Sequence, residues 1–391
     1  MSNDPALTTS RGTQLTDTLL GLPFRQLLRP AEVEFVQNLG ARSSEMLYER
    51  LTAARSLDVG GSLARQGIRR RMLTELASGL VTEEFRRQVR ARLKRPRRPP
   101  SGAALAPDPG PMSLPAAELV SRRIPSPIAT DLSAGIEWPI VSQDLRPTCV
   151  GFASAHCVEL MRARKHPQKQ IKRQSAIYLY RRMRQNPPPE LPPDWNSGAT
   201  KLSQASAMLL QYGICSYATW GQDDPGKAPS QDAVTEAANN VIGTDLYYDW
   251  GDGEPRVNIA RTIYEKLRQG RPVAIALPEF YDQDADYAED TDWHLDSTVL
   301  SGEVPDPSPA SKVKSGHAVC IIGFQPGGAD PLGGYFLFRN SWGPEWAAHA
   351  PQGDPNDPPC VPGRGLGTIS ALHLELHASE MLSLSLPAVP A

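Results

Sequence analysis

Residues 143–156 read QDLRPTCVGFASAH and set Cys149 between a Pro-Thr pair and a run of small apolar residues. Pro147 suits the first turn of a helix, and the residues after it keep helical spacing. Phe152, Cys157, Leu160 and Met161 can then face a core while Glu159, Arg162 and Arg164 face water. Cys149 falls in the first turn, where free backbone N–H groups and the helix dipole favour negative charge and lower a thiol's pKa. It is either a buried small hydrophobe or a nucleophile, and a nucleophile needs a base from elsewhere in the chain.

Two downstream runs supply one. SGHAVCIIGF (315–324) and GGYFLFRNSW (333–342) are short, β-rich and joined by a turn-forming Gly/Pro segment, so they read as a hairpin with an enlarged loop. Alternation puts His317, Val319 and Ile321 on one face of the first strand, and Phe336, Phe338 and Asn340 on one face of the second. His317, after a Gly at the strand start, is the candidate base. Asn340 can orient its imidazole, and Trp342 can shield that hydrogen bond from water. Gln143, six residues before Cys149, can aim an amide N–H at a tetrahedral oxyanion.

Taken together, QDLRPTCVGFAS, SGHAVCIIGF and RNSWGPEW resemble the papain-like (cathepsin-type, C1 family) cysteine peptidases over roughly residues 130–380. The order Gln, Cys, His, Asn and the Asn-Ser-Trp-Gly signature carry the resemblance. It implies an α+β fold of two lobes, one helical and one β-barrel-like. It implies catalysis by Cys149, His317 and Asn340 through an acyl-enzyme, with Gln143 at the oxyanion, and no cofactor or metal. WNSGATKLSQASAMLLQYGICSYATW (195–220) is similar to the family's substrate-rim segment, so Gly198 is expected to hydrogen-bond the substrate backbone, with Gly316 and Trp342 also on the substrate side. GRGLGTISALHLEL (363–376) is similar to its glycine-rich final strand. Protein or peptide substrates follow. A binding or scaffold protein on the same fold, or a thiol amidase or transferase acting on a non-protein substrate, are the alternatives.

Three departures stand out. Arg146 occupies the place of the cysteine that usually precedes the nucleophile by three, so the family's disulfide there is absent, and Val150 replaces a tryptophan. His317 and Asn340 lie 168 and 191 residues after Cys149, beyond the usual spacing of about 130–150, which points to loop insertions. No inhibitory-propeptide motif is recognisable in the N-terminal part.

The rest of the chain is modular. Residues 1–100 carry net charge +8 and the remainder −10, within a total of −2. Residues 1–95 read as a helical module, with apolar stripes such as Met46, Leu47 and Leu51, and then Leu63, Ile68, Met72, Leu73 and Leu76. Residues 96–129 read as a Pro-, Ala- and Gly-rich linker without regular structure, and residues 130–391 as the peptidase-like domain. The module is expected to regulate the domain, act as a pro-region or bind a protein partner. The eight basic residues of RRQVRARLKRPRR (86–98) lack interleaved aromatics, so nucleic-acid binding is not expected, and Leu93-Lys94 offers a self-cleavage point.

Five cysteines at irregular spacing, without CxxC, form neither a disulfide framework nor a zinc site. With no secretory signal and no apolar run able to span a bilayer, a reducing, cytoplasmic location is expected, signal-independent export aside. DQDADYAEDTD (282–292) alternates acids like half a calcium loop but has Tyr287 where the turn glycine belongs. His294 is a rival base without an Asn-Ser-Trp-Gly partner, and Cys157 and Cys320 read as buried small hydrophobes.

Overall fold

The computed structural model describes residues 48, 73, 102–105, 115–144, 146–166, 170–189, 198–221, 227–249, 258–281, 291–327, 330–347 and 364–387. The chain divides into two compact units, Met1–Arg97 and Arg98–Ala391. Within the first, Tyr48 and Leu73 are each helical and buried. The basic run 86–98, the Leu93-Lys94 bond, residues 282–290 of the acidic stretch and Cys360 lie outside the described residues.

The second unit is α+β. Helix α1 (Ala116–Arg122) and strand β1 (Thr130–Asp131) lead into α2 (Cys149–Lys165), α3 (Ala176–Gln185), α4 (Leu202–Tyr212) and α5 (Gln231–Ala238). Strand β2 (Gly243–Asp249), helix α6 (Ile259–Arg268) and strand β3 (Val273–Tyr281) follow, then α7 (Asp296–Ser301) and β4 (Glu303–Val304). The chain closes with β5 (Lys312–Pro326), β6 (Gly334–Arg339), β7 (Leu366–Ser370), α8 (Ala371–His377) and β8 (Glu380–Ser385). The strands run β2-β8-β3-β5-β6-β7-β4, with β1 on β5, and every pair is antiparallel except β4 with β7.

The sheet's centre is apolar on both faces because it is covered on both. Every residue from Val273 to Phe280 of β3 is buried, as expected of a strand between helical layers. Helix α2 packs on β5, β3 and β8, while α6 packs on α8, β5 and β3. Gly151 lets α3 approach α2: a Cβ there would stand 2.7 Å from the Ala176 carbonyl oxygen.

Several local expectations change. Helix α1 forms inside the stretch read as linker, and Arg122 on it donates to the buried carboxylate of Glu375 on α8 at 2.5 Å. Strand β5 begins at Lys312, so His317 lies within the strand and pairs with Leu277 of β3. Residues 363–376 do not end the sheet, because β7 passes into α8 and then into β8, which is inserted between β2 and β3.

Glu159 was expected to face water but is buried, accepting from Trp138 Nε1 at 2.8 Å and from the Gln174 amide at 2.7 Å. Burial raises its pKa, opposed by those hydrogen bonds and by the charges of Arg339 and Arg173. Arg162 is half-buried and Arg164 exposed, closer to expectation.

Candidate active site

Thr148 caps α2 with its backbone, and Cys149 is the first helical residue. From the sheet side, β5 brings His317 and the end of β6 brings Asn340. The Nε2 of His317 lies 2.9 Å from the Oδ1 of Asn340, and its other ring nitrogen, Nδ1, has no hydrogen-bond partner. That sets the tautomer: with the amide oxygen accepting, Nε2 carries the proton and Nδ1 is a lone-pair acceptor. The Cys149 thiol touches the backbone of Ala318, the residue after His317. The thiol and the imidazole are thus both buried, and the thiol meets the strand that carries the imidazole at the next residue, with no hydrogen bond between the two side chains.

Aromatic rings enclose the imidazole. Trp342 packs on His317 with ring centroids 4.4 Å apart, and Trp293 meets it edge-on at 5.1 Å. His294, the rival base, lies against the same Trp342 at 4.5 Å, nearly parallel, while its Nδ1 is 2.8 Å from Thr291 Oγ1. It is thus separated from the thiol's neighbourhood by an indole.

Gln143 is fully buried. Its Oε1 accepts from Ser341 Oγ at 2.6 Å, and its Nε2 donates to the Arg146 carbonyl at 2.8 Å. These contacts fix the amide between the stretch after Asn340 and the approach to α2, with one of two N–H groups directed into the Arg146 turn.

Residues 102–105, read from sequence as linker, lie over the start of α2, with Gly102 against Pro147 and the Cys149 thiol. Residues 102–105 (Gly-Ala-Ala-Leu) run as an extended strap between the α4 approach and β5. Thr200 donates its amide to Gly102 O at 2.8 Å and accepts from the Ala104 amide at 2.9 Å, while Ala103 donates to Gly316 O at 3.1 Å. The pairing with Thr200 is parallel. Gly316 therefore accepts a backbone hydrogen bond from this segment of the same chain. Gly198, two residues before Thr200, turns at φ +97° and its carbonyl accepts from the Tyr180 hydroxyl at 2.9 Å.

The fit is close: a Cβ on Gly102 would stand 2.2 Å from Pro147 O, and one on Gly316 would stand 2.5 Å from Ala103 O. Glycine at 102 is thus a steric requirement as well as a linker composition. No sequence pattern around 102–105 announced this, since the partners lie about a hundred and two hundred residues away.

Covering the cleft reverses the expected electrostatics. Cys149 has no exposed surface, and burial pushes its thiol from 9.0 up to about 12, against weaker help from the Ala318 and Gly102 backbone. Burial likewise pulls His317 down to about 4, opposed by its hydrogen bond to Asn340. The helix tip alone would have lowered the thiol, but desolvation outweighs it. Both groups are therefore neutral at pH 7.

Beneath the site, Cys157 on α2 and Cys320 on β5 bring their sulfurs to 3.4 Å as free thiols. Burial, with Cys157 beside it, raises the Cys320 thiol. On the strap's other wall, Lys201 begins α4 without a side-chain acceptor to offer. Glu380 of β8 substitutes, accepting from the Leu202 and Ser203 amides at 3.0 and 3.3 Å and from Tyr247 OH at 2.6 Å. Burial pushes that carboxyl up to about 7. Among the described residues, no cluster of His, Cys, Asp or Glu is arranged to hold a metal ion, and no helix is long and apolar enough to cross a membrane.

No protein-family model matches the chain, and no curated protein matches it. Solved structures do. The chain is similar to xylellain, a cysteine protease from Xylella fastidiosa, with 16% identity, 75% of this chain and 99% of that one covered, and TM-score 0.49. It is also similar to the bromelain protease from Ananas comosus in complex with the E64 inhibitor (14% identity, 67% and 100% covered, TM-score 0.41). A third is procathepsin B S9 from Trypanosoma congolense (13%, 74% and 87%, TM-score 0.44).

Proposed function

We propose that this chain is a cysteine peptidase using Cys149, His317 and Asn340, held latent by its own residues 102–105. The observation that carries the reading is the His317–Asn340 hydrogen bond, which leaves Nδ1 as a bare acceptor on the strand lying against the Cys149 helix. In the uncovered site, the Cys149 thiol passes its proton to His317 Nδ1 and attacks a substrate carbonyl. Gln143 and the Cys149 backbone N–H take up the oxyanion, and Gly316 and Thr200 grip the peptide backbone as they grip the strap. The imidazolium returns its proton to the departing amine, and water, activated by the same nitrogen, releases the acyl group.

Proteins or peptides are the substrates that suit a cleft reading backbone amides. The N-terminal unit then serves as the handle through which a partner, or cleavage of the basic linker near Leu93-Lys94, frees the strap. The free, unbridged thiols fit work in a reducing compartment such as the cytoplasm.

The covered, neutral thiol favours one rival, a binding protein without turnover. An epoxide or vinyl-sulfone thiol trap, applied to protein lacking residues 102–105 and to its Cys149→Ala and His317→Ala derivatives, separates the two. The peptidase reading requires labelling of the strap-less protein that is lost in both derivatives. A folded strap-less protein that the trap leaves untouched refutes it.

A further inference from the structure

At the end of the sheet remote from Asn340, a hollow of about 320 Å³ opens between α7, β4, β6 and β7. Tyr335, the second residue of β6, lies five residues before Asn340, about 17 Å along the strand, and the hollow's Thr368 pairs with Leu337 between them. Its polar lining includes Ser301, Glu303, Asp306, Tyr335, Thr368 and Ser370. The volume is at the lower end of that for small-ligand sites.

The hollow carries anionic charge without a matching cation. Glu303 is half-buried, and burial alone raises its carboxyl. Asp306 stands at the rim, accepting from Ser370 Oγ at 2.5 Å and 3.7 Å from the buried His373 Nδ1. Asp330, held by the Leu332, Gly334 and Leu372 amides, lies behind them. The Tyr335 hydroxyl is raised by burial first and then by the charges of Asp330, Asp306 and Glu303, so the negative field of all three reaches it. Neither Glu303 nor Asp306 has a lysine or arginine partner among the described residues.

A separate observation points to an occupant. Thr368, 1% exposed and lining the hollow, has no hydrogen-bond partner for its Oγ1. A buried hydroxyl without a partner is costly, and a ligand N–H is one way to meet it.

We propose that this hollow binds an organic cation, an alkylammonium or guanidinium group on a short chain. Glu303 and Asp306 supply the charge, the Tyr335 ring supplies a face for the cation, and Thr368 and Ser301 accept its N–H groups. A metal ion is a poor fit, since no three ligating side chains converge there. The cation is either a free diamine or agmatine-like amine, or the lysine or arginine side chain of a bound peptide. The inference is independent of turnover at Cys149.

The test is calorimetry on the full chain carrying Cys149→Ala, with agmatine, putrescine, a blocked arginine dipeptide and, as a neutral control, pentanol. The expected result is saturable binding of a cationic probe and none of pentanol. Each of Glu303→Gln and Asp306→Asn should weaken that binding about fivefold, and the pair should abolish it. Thr368→Val keeps the shape and should also weaken it. Binding of agmatine or putrescine assigns a free amine, and binding of the dipeptide alone assigns a peptide side chain. If no cation binds, if sodium chloride at equal ionic strength reproduces the heat, or if binding survives the double substitution in a folded protein, the proposal falls.

Discussion

Replacing Ala103 and Ala104 together by aspartate should wake the Cys149 thiol. Both alanines are almost wholly buried in the strap, and three backbone hydrogen bonds, each contributing about 1 kcal/mol, hold it to Thr200 and Gly316. Two unpaired carboxylates in that position cost several kcal/mol each, so the strap must leave. The thiol now sits at about 12 against an ordinary 9.0, so release increases its thiolate population at neutral pH about a thousandfold. A less basic thiolate is also a weaker nucleophile, with a Brønsted slope of about 0.5, which removes roughly thirtyfold of that gain. Ionisation alone therefore predicts alkylation about thirtyfold faster, before any gain in access.

The assay is iodoacetamide labelling read by peptide mass spectrometry, with the buried Cys157, Cys215 and Cys320 as internal references. In parallel, the His317 ring should titrate upward from about 4 toward the usual 6.5 as water returns. If Cys149 in the folded double variant is alkylated no faster than in the parent, the strap does not control the thiol and the latency argument is wrong.

Three further outcomes follow from the same geometry. Asn340→Ala frees the His317 ring to rotate and should lower the turnover of strap-released protein about a hundredfold, with little change in KM; unchanged turnover would exclude the orienting role. Glu380 binds its proton more tightly folded, at about 7, than unfolded, near 4.5, so it destabilises the fold progressively as pH rises from 4.5 to 7 and no further above that, by about 3 kcal/mol in all. Urea unfolding followed by tryptophan emission, which arises only from the second unit, should show this slope in the parent and lose it in Glu380→Gln; equal slopes would refute it. Glu159→Ala should cost about 2 kcal/mol by stranding the buried Gln174 amide and freeing the half-buried Trp138 indole N–H, measured by the same unfolding.

The parts of this protein that could be read from its sequence are those whose determinants are local. Cys149 at a helix start, and the hairpin that carries His317 and Asn340, follow from residues within a few positions of each other. Helical periodicity assigns Glu159 to the polar side, while the partners that bury it, Trp138 and Gln174, come from segments that periodicity does not see. The thiol's ionisation was misjudged for the same reason. The helix tip is written into residues 147–150, but the peptide that dries it comes from residues 102–105. A Gly-Ala-Ala-Leu run looks identical whether it trails in water or fills a cleft, and only the steric limits at Pro147 and Gly316 tell the cases apart. Strand β8 was missed because MLSLSL carries too short a pattern to tell a central strand from a tail.

The paired thiols of Cys157 and Cys320 join the element that presents the nucleophile to the strand that presents the base. An oxidant that takes two electrons and two protons from the pair would tie helix to strand at this seam, and a thiol reductant would untie it. The state of that one pair follows the redox conditions around the molecule and sets how firmly the helix is held to the strand.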